Sequence, residues 1–318
     1  MMRVIRVLVL VLIAVVVMAG GYGAMRNPEH ITLDKASRDT ASGAFVQLRD
    51  GVTHYEAGGP TNARVVVLVH GFSVPQYIWD STFNALTAAG LHVVRYDLFG
   101  RGWSDRPDAA YDGAMYDEQL NGLLDSLRVA GPIDLMGLSF GGFVVAHYTS
   151  THPQRVRTVT LVDPVSSTRV MPSWLSTPVV GEWVFQTTQV PGMADNQASD
   201  FLHPERFPGW ADKYRVQMQF RGFGRALLRT AFTLSRTNFD TLYSAVGRTH
   251  IPTLLVWGQQ DPTVPIALSA AARNHIPGLE WFPVDSSGHL PHIEQSKSVH
   301  ARMLQFLESH PASAPPVP

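Results

Sequence analysis

An α/β architecture, with a mainly parallel sheet and helices on both of its faces, follows from how apolar residues are spread along these 318 residues. Short β-branched runs alternate with segments of helical period over 43–164 and again over 251–310. Between 165 and 250 that alternation stops, and this stretch holds 7 of the 15 Phe together with Trp174, Trp183 and Trp210. A sheet domain carrying a helical insertion accounts for both facts.

Residues 1–26 stand apart from the rest. Arg3 and Arg6 precede an unbroken apolar run from Val7 to Ala19, and no acidic residue occurs before Glu29. That is the pattern of a secretory signal cleaved near Ala19–Gly21. Counted from Val7 to Met25 it is also close to the roughly 20 residues that span a bilayer. The first reading makes the protein secreted or periplasmic; the second gives membrane association through residues 7–25. Either places the folded part outside the cytoplasmic membrane.

After a polar connector (27–42), Phe45–Leu48 and Val52–Glu56 form a hairpin across Arg49-Asp50-Gly51, where Asp-Gly supplies the turn. Val65–Val69 is continuous and β-branched, as a strand covered on both faces requires. Further strands are expected at His92–Tyr96, Ile133–Met136, Val156–Val162, Thr253–Trp257 and Glu280–Phe282. Helices are expected at Trp79–Ala89, Met115–Val129, Gly142–Thr149, Ile266–Asn274 and Val299–Glu308. Within the insertion, Val216, Phe220, Phe223, Leu227, Ala231 and Leu234 recur at steps of three and four, an amphipathic pattern interrupted at Gly222 and Gly224. The proline-rich tail, 311–318, is expected to be disordered.

Composition excludes several classes of function. With no cysteine there is no disulfide, no thiolate nucleophile, no cysteine-built metal site and no lipid-bearing cysteine. The 25 basic and 26 acidic residues nearly balance. The first 26 residues hold three arginines and no acid, so the folded part is mildly acidic and offers no basic surface for nucleic acid. Oligomeric state leaves no mark in the sequence.

Ile133 to Gly142 reads as a strand running into Gly137-Leu138-Ser139-Phe140-Gly141 and then a helix. By itself G-x-S-x-G is a weak signal; at a strand-to-helix junction it is a strong one. The sharp turn requires glycine on both flanks, and it holds Ser139 exposed beside a helix N-terminus. A serine hydroxyl needs a base, and the base an acid. Asp261, after Thr253–Trp257, and His289, after the last strand, follow Ser139 in the order Ser, Asp, His and occupy loops at strand C-terminal ends. Asp163 is the competing acid and His292 the competing base, the latter read as a surface residue opening the next helix. Asp285 lies too near His289 in the chain to serve. A developing oxyanion calls for backbone donors. These are the N–H of Phe140, directly after the serine, and that of Phe72 in the loop His70-Gly71-Phe72-Ser73, with His70 bracing the loop.

Taken together, residues 43–310 resemble the α/β-hydrolase superfamily. His70-Gly71 matches its oxyanion loop, Ser139 its nucleophile elbow, and Asp97-Leu98-Phe99-Gly100-Arg101-Gly102-Trp103-Ser104 its D-x-x-G-x-G-x-S loop. The resemblance implies an α/β-hydrolase fold whose helical cap is the insertion at 165–250. It also implies a serine hydrolase without metal or organic cofactor, in which Ser139, Asp261 and His289 form the triad. Epoxide hydrolases and haloalkane dehalogenases of the family carry Asp as nucleophile, so Ser139 points instead to acyl transfer. The family's C–C bond hydrolases share the cap and the serine, but typically have Asn before it and a Gly-rich oxyanion loop. Leu138 and Phe72-Ser73-Val74-Pro75 depart from both features. Cofactor-free perhydrolases use the same triad. The expectation is therefore a carboxylesterase or lipase acting on a small or lipid-like ester. A C–C hydrolase and a non-catalytic exported scaffold are the alternatives. The aromatic cap suggests an apolar acyl pocket, although those rings also serve to bury the cap itself. Arg215, Arg221, Arg225 and Arg229 read as a solvated helix face.

Overall fold

The Asp50-Gly51 turn folds β1 (Ala44–Leu48) back on β2 (Gly51–Gly58) as an antiparallel hairpin at one edge of the sheet. The remaining strands are β3 (Val65–Val69), β4 (His92–Tyr96), β5 (Ile133–Leu138), β6 (Val156–Val162), β7 (Thr253–Gly258) and β8 (Glu280–Val284). In the computed structural model, which describes residues 2–168, 170–177 and 179–311, these strands form one eight-stranded sheet in the order β1-β2-β4-β3-β5-β6-β7-β8. From β4 to β8 every pairing is parallel.

The central strands are apolar on both faces because both faces are covered. Val66 to Val69 are fully buried, and each such side chain contributes about 1.5–3 kcal/mol on leaving water. Two apolar clusters divide the molecule across the sheet. One joins Val67, Val69 and Leu135 to the helices Gly113–Ser126 and Phe140–Thr151; the other joins Val66, Leu68 and Met136 to the helices Asp80–Ala88 and Ser296–Ser309.

Between β6 and β7 the chain is helical, as expected. The amphipathic pattern breaks at Gly222 (φ 91°) into helices Trp210–Met218 and Phe223–Arg236. The last helix of this stretch, Phe239–Arg248, packs on Phe140–Thr151 and Ala270–His275 and contributes Phe239, Tyr243 and Val246 to the cluster under the sheet. This helix, within the stretch 165–250, thus packs against the sheet domain. The residues expected to form a disordered tail, Pro311 apart, lie outside the described residues.

The N-terminal run is a single helix, Met2–Arg26, with a mean hydropathy of 2.8 over its most apolar window. Only Gly23 within it is buried. The helix meets the rest of the protein through its C-terminal end, at helix Val180–Thr188 of the cap.

Candidate active site

The strand order brings five C-terminal strand ends side by side. Gly71 and Phe72 follow β3, Ser139 follows β5, Asp163 follows β6 and Asp261 follows β7; His289 follows β8 at the end of the row. Residues far apart in sequence thus share one edge of the sheet, where open parallel sheets build their sites.

Ser139 sits at φ 52°, ψ −115°, a strained conformation for a residue with a side chain. Its neighbours explain how the turn is tolerated. A Cβ on Gly137 would lie 2.3 Å from the Gly141 carbonyl oxygen, and one on Gly141 would lie 2.2 Å from that of Val69. Only glycine lets strand, turn and helix approach so closely. Val162 anchors the turn by accepting the Ser139 N–H at 2.9 Å.

His289 is buried, and its Nδ1 lies 2.7 Å from Asp261 Oδ2. Asp261 uses its other oxygen as well: Oδ1 accepts the N–H groups of Thr263 (2.8 Å) and Val264 (2.9 Å). It thus caps its own turn and orients the histidine at once. Burial opposes charge on His289, but the hydrogen bond and charge of Asp261, with the charge of Asp200, outweigh it and raise the pKa above the ordinary histidine value. Asp163 lies beside this pair. Its Oδ1 accepts Gly258 N–H at 2.8 Å, and its Oδ2 has no partner among the described residues. Burial, with the neighbouring Asp261 charge, pushes its pKa well above the ordinary carboxylate value. Asp163, Asp261 and His289 each offer an atom within 4.8 Å of the others, close enough to hold a cation. His289 Nδ1 and both Asp261 oxygens are already engaged with one another and with backbone N–H groups, as is Asp163 Oδ1.

The competing histidines are placed elsewhere. His292 is not a surface residue: it is fully buried, its ring centre lies 4.5 Å from that of Trp79 at a tilt of 44°, and it donates from Nε2 to the Ile78 carbonyl at 3.1 Å. Burial drops its pKa to about 3, which keeps it neutral. His70 donates from Nδ1 to Gly71 O and accepts Leu98 N–H at Nε2, both at 2.9 Å, and so braces the loop. Burial lowers its pKa to about 4. Asp285 is exposed and bonds Gln260 at 3.1 Å.

Phe140 is the first residue of its helix, where the N–H has no intrahelical acceptor. Neither its N–H nor that of Phe72 bonds to another described residue. Phe72 joins Gly71, Ser139 and His289 around a cavity of about 270 Å³. The cap closes this cavity with Asn196, Gln197, Ser199 and Asp200, all polar. The apolar lining comes from the sheet domain, through Phe72, Val74, Ile78, Leu138 and Leu290, and not from the cap, whose rings pack on one another. Phe201 lies 4.4 Å from Phe207 and 5.1 Å from Trp210, and Tyr214 lies 6.1 Å from Phe223. Two of the four arginines read as a solvated face form ion pairs: Arg215 with Asp195 and Asp212, Arg229 with Asp108 and Glu182.

Two residues were missed by sequence reasoning. Arg101, fully buried, donates from Nε to Phe72 O (2.8 Å) and from Nη2 to Thr230 Oγ1 (2.9 Å), joining the Phe72 loop to the cap. Asp200 accepts the His289 N–H at its carbonyl (2.8 Å) and the Thr263 hydroxyl at Oδ1 (2.7 Å). Arg101 lies inside a loop already noted for its glycines. Nothing near Asp200 in the sequence marks it.

Fold and site geometry together define a hydrolase. The chain belongs to the alpha/beta hydrolase family, whose model matches residues 66–302. It is similar to epoxide hydrolase A of Mycobacterium tuberculosis, 27% identical over 299 residues that cover 79% of this chain and 92% of that protein. It is also similar to the pimeloyl-(acyl-carrier protein) methyl ester esterase of Neisseria meningitidis, 22% identical over 254 residues, covering 78% of this chain and 95% of the other. Among solved structures, a thermophilic esterase from Thermogutta terrifontis superposes with a TM-score of 0.71 at 23% identity, covering 85% of this chain and 100% of that one.

Proposed function

We propose that this protein is a serine hydrolase that cleaves carboxylic esters through an acyl-enzyme. One observation carries the reading: Ser139, on a strained strand-to-helix turn, shares a cavity with His289, whose Nδ1 is bound to Asp261. Asp261 fixes the tautomer in which Nδ1 carries the proton and Nε2 is free to act as base. Ser139 attacks the ester carbonyl as His289 takes its proton, and the N–H groups of Phe72 and Phe140 receive the oxyanion. His289 then protonates the leaving alcohol and activates the water that releases the acid.

The comparison with epoxide hydrolase A leaves the leaving-group chemistry open, but alkyl–enzyme formation in that branch of the family uses a carboxylate where this chain has Ser139. The cavity supports small, uncharged esters. Its volume is about 270 Å³, and among the described residues it is lined by Asp200 and His289 but by no Lys or Arg. Gln197 Oε1 is buried without a partner among the described residues, which favours a substrate bearing a hydroxyl or amide donor.

Hydrolysis of nitrophenyl esters of graded acyl length, by wild type and by Ser139→Ala, tests the proposal. Turnover is expected for short acyl chains and should vanish in the variant. Activity that survives in Ser139→Ala overturns the mechanism. A wild type inert on every ester but active on a vinylogous 1,5-diketone would move the assignment to C–C bond hydrolysis.

A further inference from the structure

We propose that the cap rests on the bilayer surface through an apolar patch beside the end of helix Met2–Arg26, which is retained as an anchor. Outside that helix, every exposed large apolar side chain among the described residues lies between Val170 and Val216. Five of them, Val170, Trp174, Val179, Val180 and Trp183, crowd into one short stretch; Val170 is 89% exposed and Val179 77%. The stretch from Val170 to Trp183 has one charged side chain, Glu182, and Arg229 binds it at 3.2 Å. The patch therefore carries no unpaired charge that would resist contact with lipid.

Its position relative to the helix supplies the partner. Val180 and Trp183 lie one turn apart on helix Val180–Thr188, and the turn Ser173–Ser176, which holds Trp174, packs against that helix. A Cβ on Gly23 would stand 2.6 Å from Trp183 Nε1, and the Tyr22 ring is 6.2 Å from the Trp183 ring. Between Arg6 and Arg26 the helix rises about 30 Å, which matches a hydrocarbon core of about 30 Å. With an arginine at each face of the core, Gly23 and therefore Trp183 fall at the interface, where Trp and Tyr concentrate.

The cap cannot swing away from that level on a loose tether, because the segment after the helix is stitched to it. Gln186 Nε2 donates to Asn27 Oδ1 at 2.6 Å, and the Glu29 carboxylate accepts the N–H groups of Gly222 and Gly224, each at 2.6 Å. Ile31 N–H reaches Gln219 O and Arg221 N–H reaches Ile31 O, both at 2.9 Å. One spanning helix and one apolar patch thus give two points of attachment, which sets the orientation of the whole domain.

The chain has no native cysteine, so a single introduced thiol labels cleanly. Full-length Val180→Cys and, as a distant exposed control, Gln305→Cys are labelled with an environment-sensitive nitrobenzoxadiazole. They are then reconstituted singly into nanodiscs of phosphatidylethanolamine and phosphatidylglycerol. The probe at 180 is expected to shift to the blue and to be quenched by lipids doxyl-labelled near the headgroup, while the probe at 305 stays water-like and unquenched. A water-like probe at 180 overturns the proposal. So does a probe shielded from water yet unquenched by lipid, which marks a protein contact such as a second copy. Recovery of membrane-expressed chain lacking the apolar helix also overturns it. None of these readouts depends on ester hydrolysis, so failure here is separable from failure of the catalytic reading.

Discussion

Arg101 donates its Nε proton to the carbonyl of Phe72 at 2.8 Å, inside the protein and without a carboxylate partner among the described residues. Its guanidinium also binds Phe99 O and the Tyr116 hydroxyl and lies within 5.6 Å of the Phe72 ring and 5.5 Å of the Phe140 ring. The same cation therefore braces the loop and faces both residues whose N–H groups are proposed to receive the oxyanion. Arg101→Lys keeps the charge but loses the planar fork that reaches Phe72, Tyr116 and Thr230 together. Removing an oxyanion donor outright costs about 10²–10³ in kcat, so loosening one from behind should cost about tenfold, with KM little changed. Steady-state kinetics decide it. An unchanged kcat in a variant that melts normally would make Arg101 a purely structural residue.

Asp261 and Asp163 lie side by side, and substitution separates their roles. Asp261→Asn can still accept Thr263 and Val264 N–H, but its amide favours the wrong imidazole tautomer, and a loss of about 10⁴ in kcat is expected. The Asp163 pKa is pushed well up, which an amide imitates, and Asp163→Asn retains an acceptor for Gly258 N–H. Its activity should stay within about tenfold of wild type, since the buried Gly258 N–H keeps its acceptor. If Asp163→Asn is the dead enzyme and Asp261→Asn the live one, the acid has been assigned to the wrong strand.

The rate should depend on pH through His289. Acylation needs the neutral ring, and the folded protein holds its pKa above about 6.5, so the acid limb of kcat/KM should lie above that value. Asp200 is one of the charges that stabilise the imidazolium. Asp200→Asn removes it, which must lower the His289 pKa and move the acid limb to lower pH. The variant should also accept an anionic ester, such as a hemisuccinate, better relative to its neutral counterpart. A limb that stays fixed would show that the Asp200 carboxylate does not act on the base.

The chemistry was more legible than its surroundings, for a physical reason. Ser139 is set by a local turn, and Gly137 and Gly141 record its steric demands within five residues. The buried run Val65–Val69 likewise announces a central strand, because cover on both faces leaves no polar position. Arg101 and Asp200 were hidden because their partners are distant. Thr230 is 129 residues from Arg101, and Thr263 is 63 from Asp200. His292 was misplaced for a similar reason: only the packing of Trp79 against it, set by long-range folding, shows that the helix begins inside the protein. The cap's rings signalled burial correctly but not which surface they would bury.

His54 and Asp97 form the buried pair on which a stability prediction rests. Asp97 Oδ2 lies 2.7 Å from His54 Nδ1, and His54 Nε2 lies 2.6 Å from Ser42 O, so the ring ties the segment before β1 to the end of β4. Burial opposes its charge, but Asp97, the Ser42 carbonyl and Glu56 together raise its pKa. The sign follows from linkage. A raised folded-state pKa stabilises fully below the unfolded value of about 6.5 and ceases to do so as pH rises through the folded value. Asp97, whose pKa is lowered, adds stability that is present above about 3.9 and lost as pH falls toward its folded value. The pair therefore serves best between about pH 4 and 6.5. His54→Gln leaves Asp97 with the Gln76 and Trp103 N–H groups, so the loss near pH 6 should be that of one charged hydrogen bond, about 2 kcal/mol. Urea unfolding of the full chain in detergent, followed from pH 5 to 9, should show wild-type stability falling across the alkaline side of pH 6.5, with a flatter profile in the variant. Parallel profiles would mean that His54 is not charged in the folded protein.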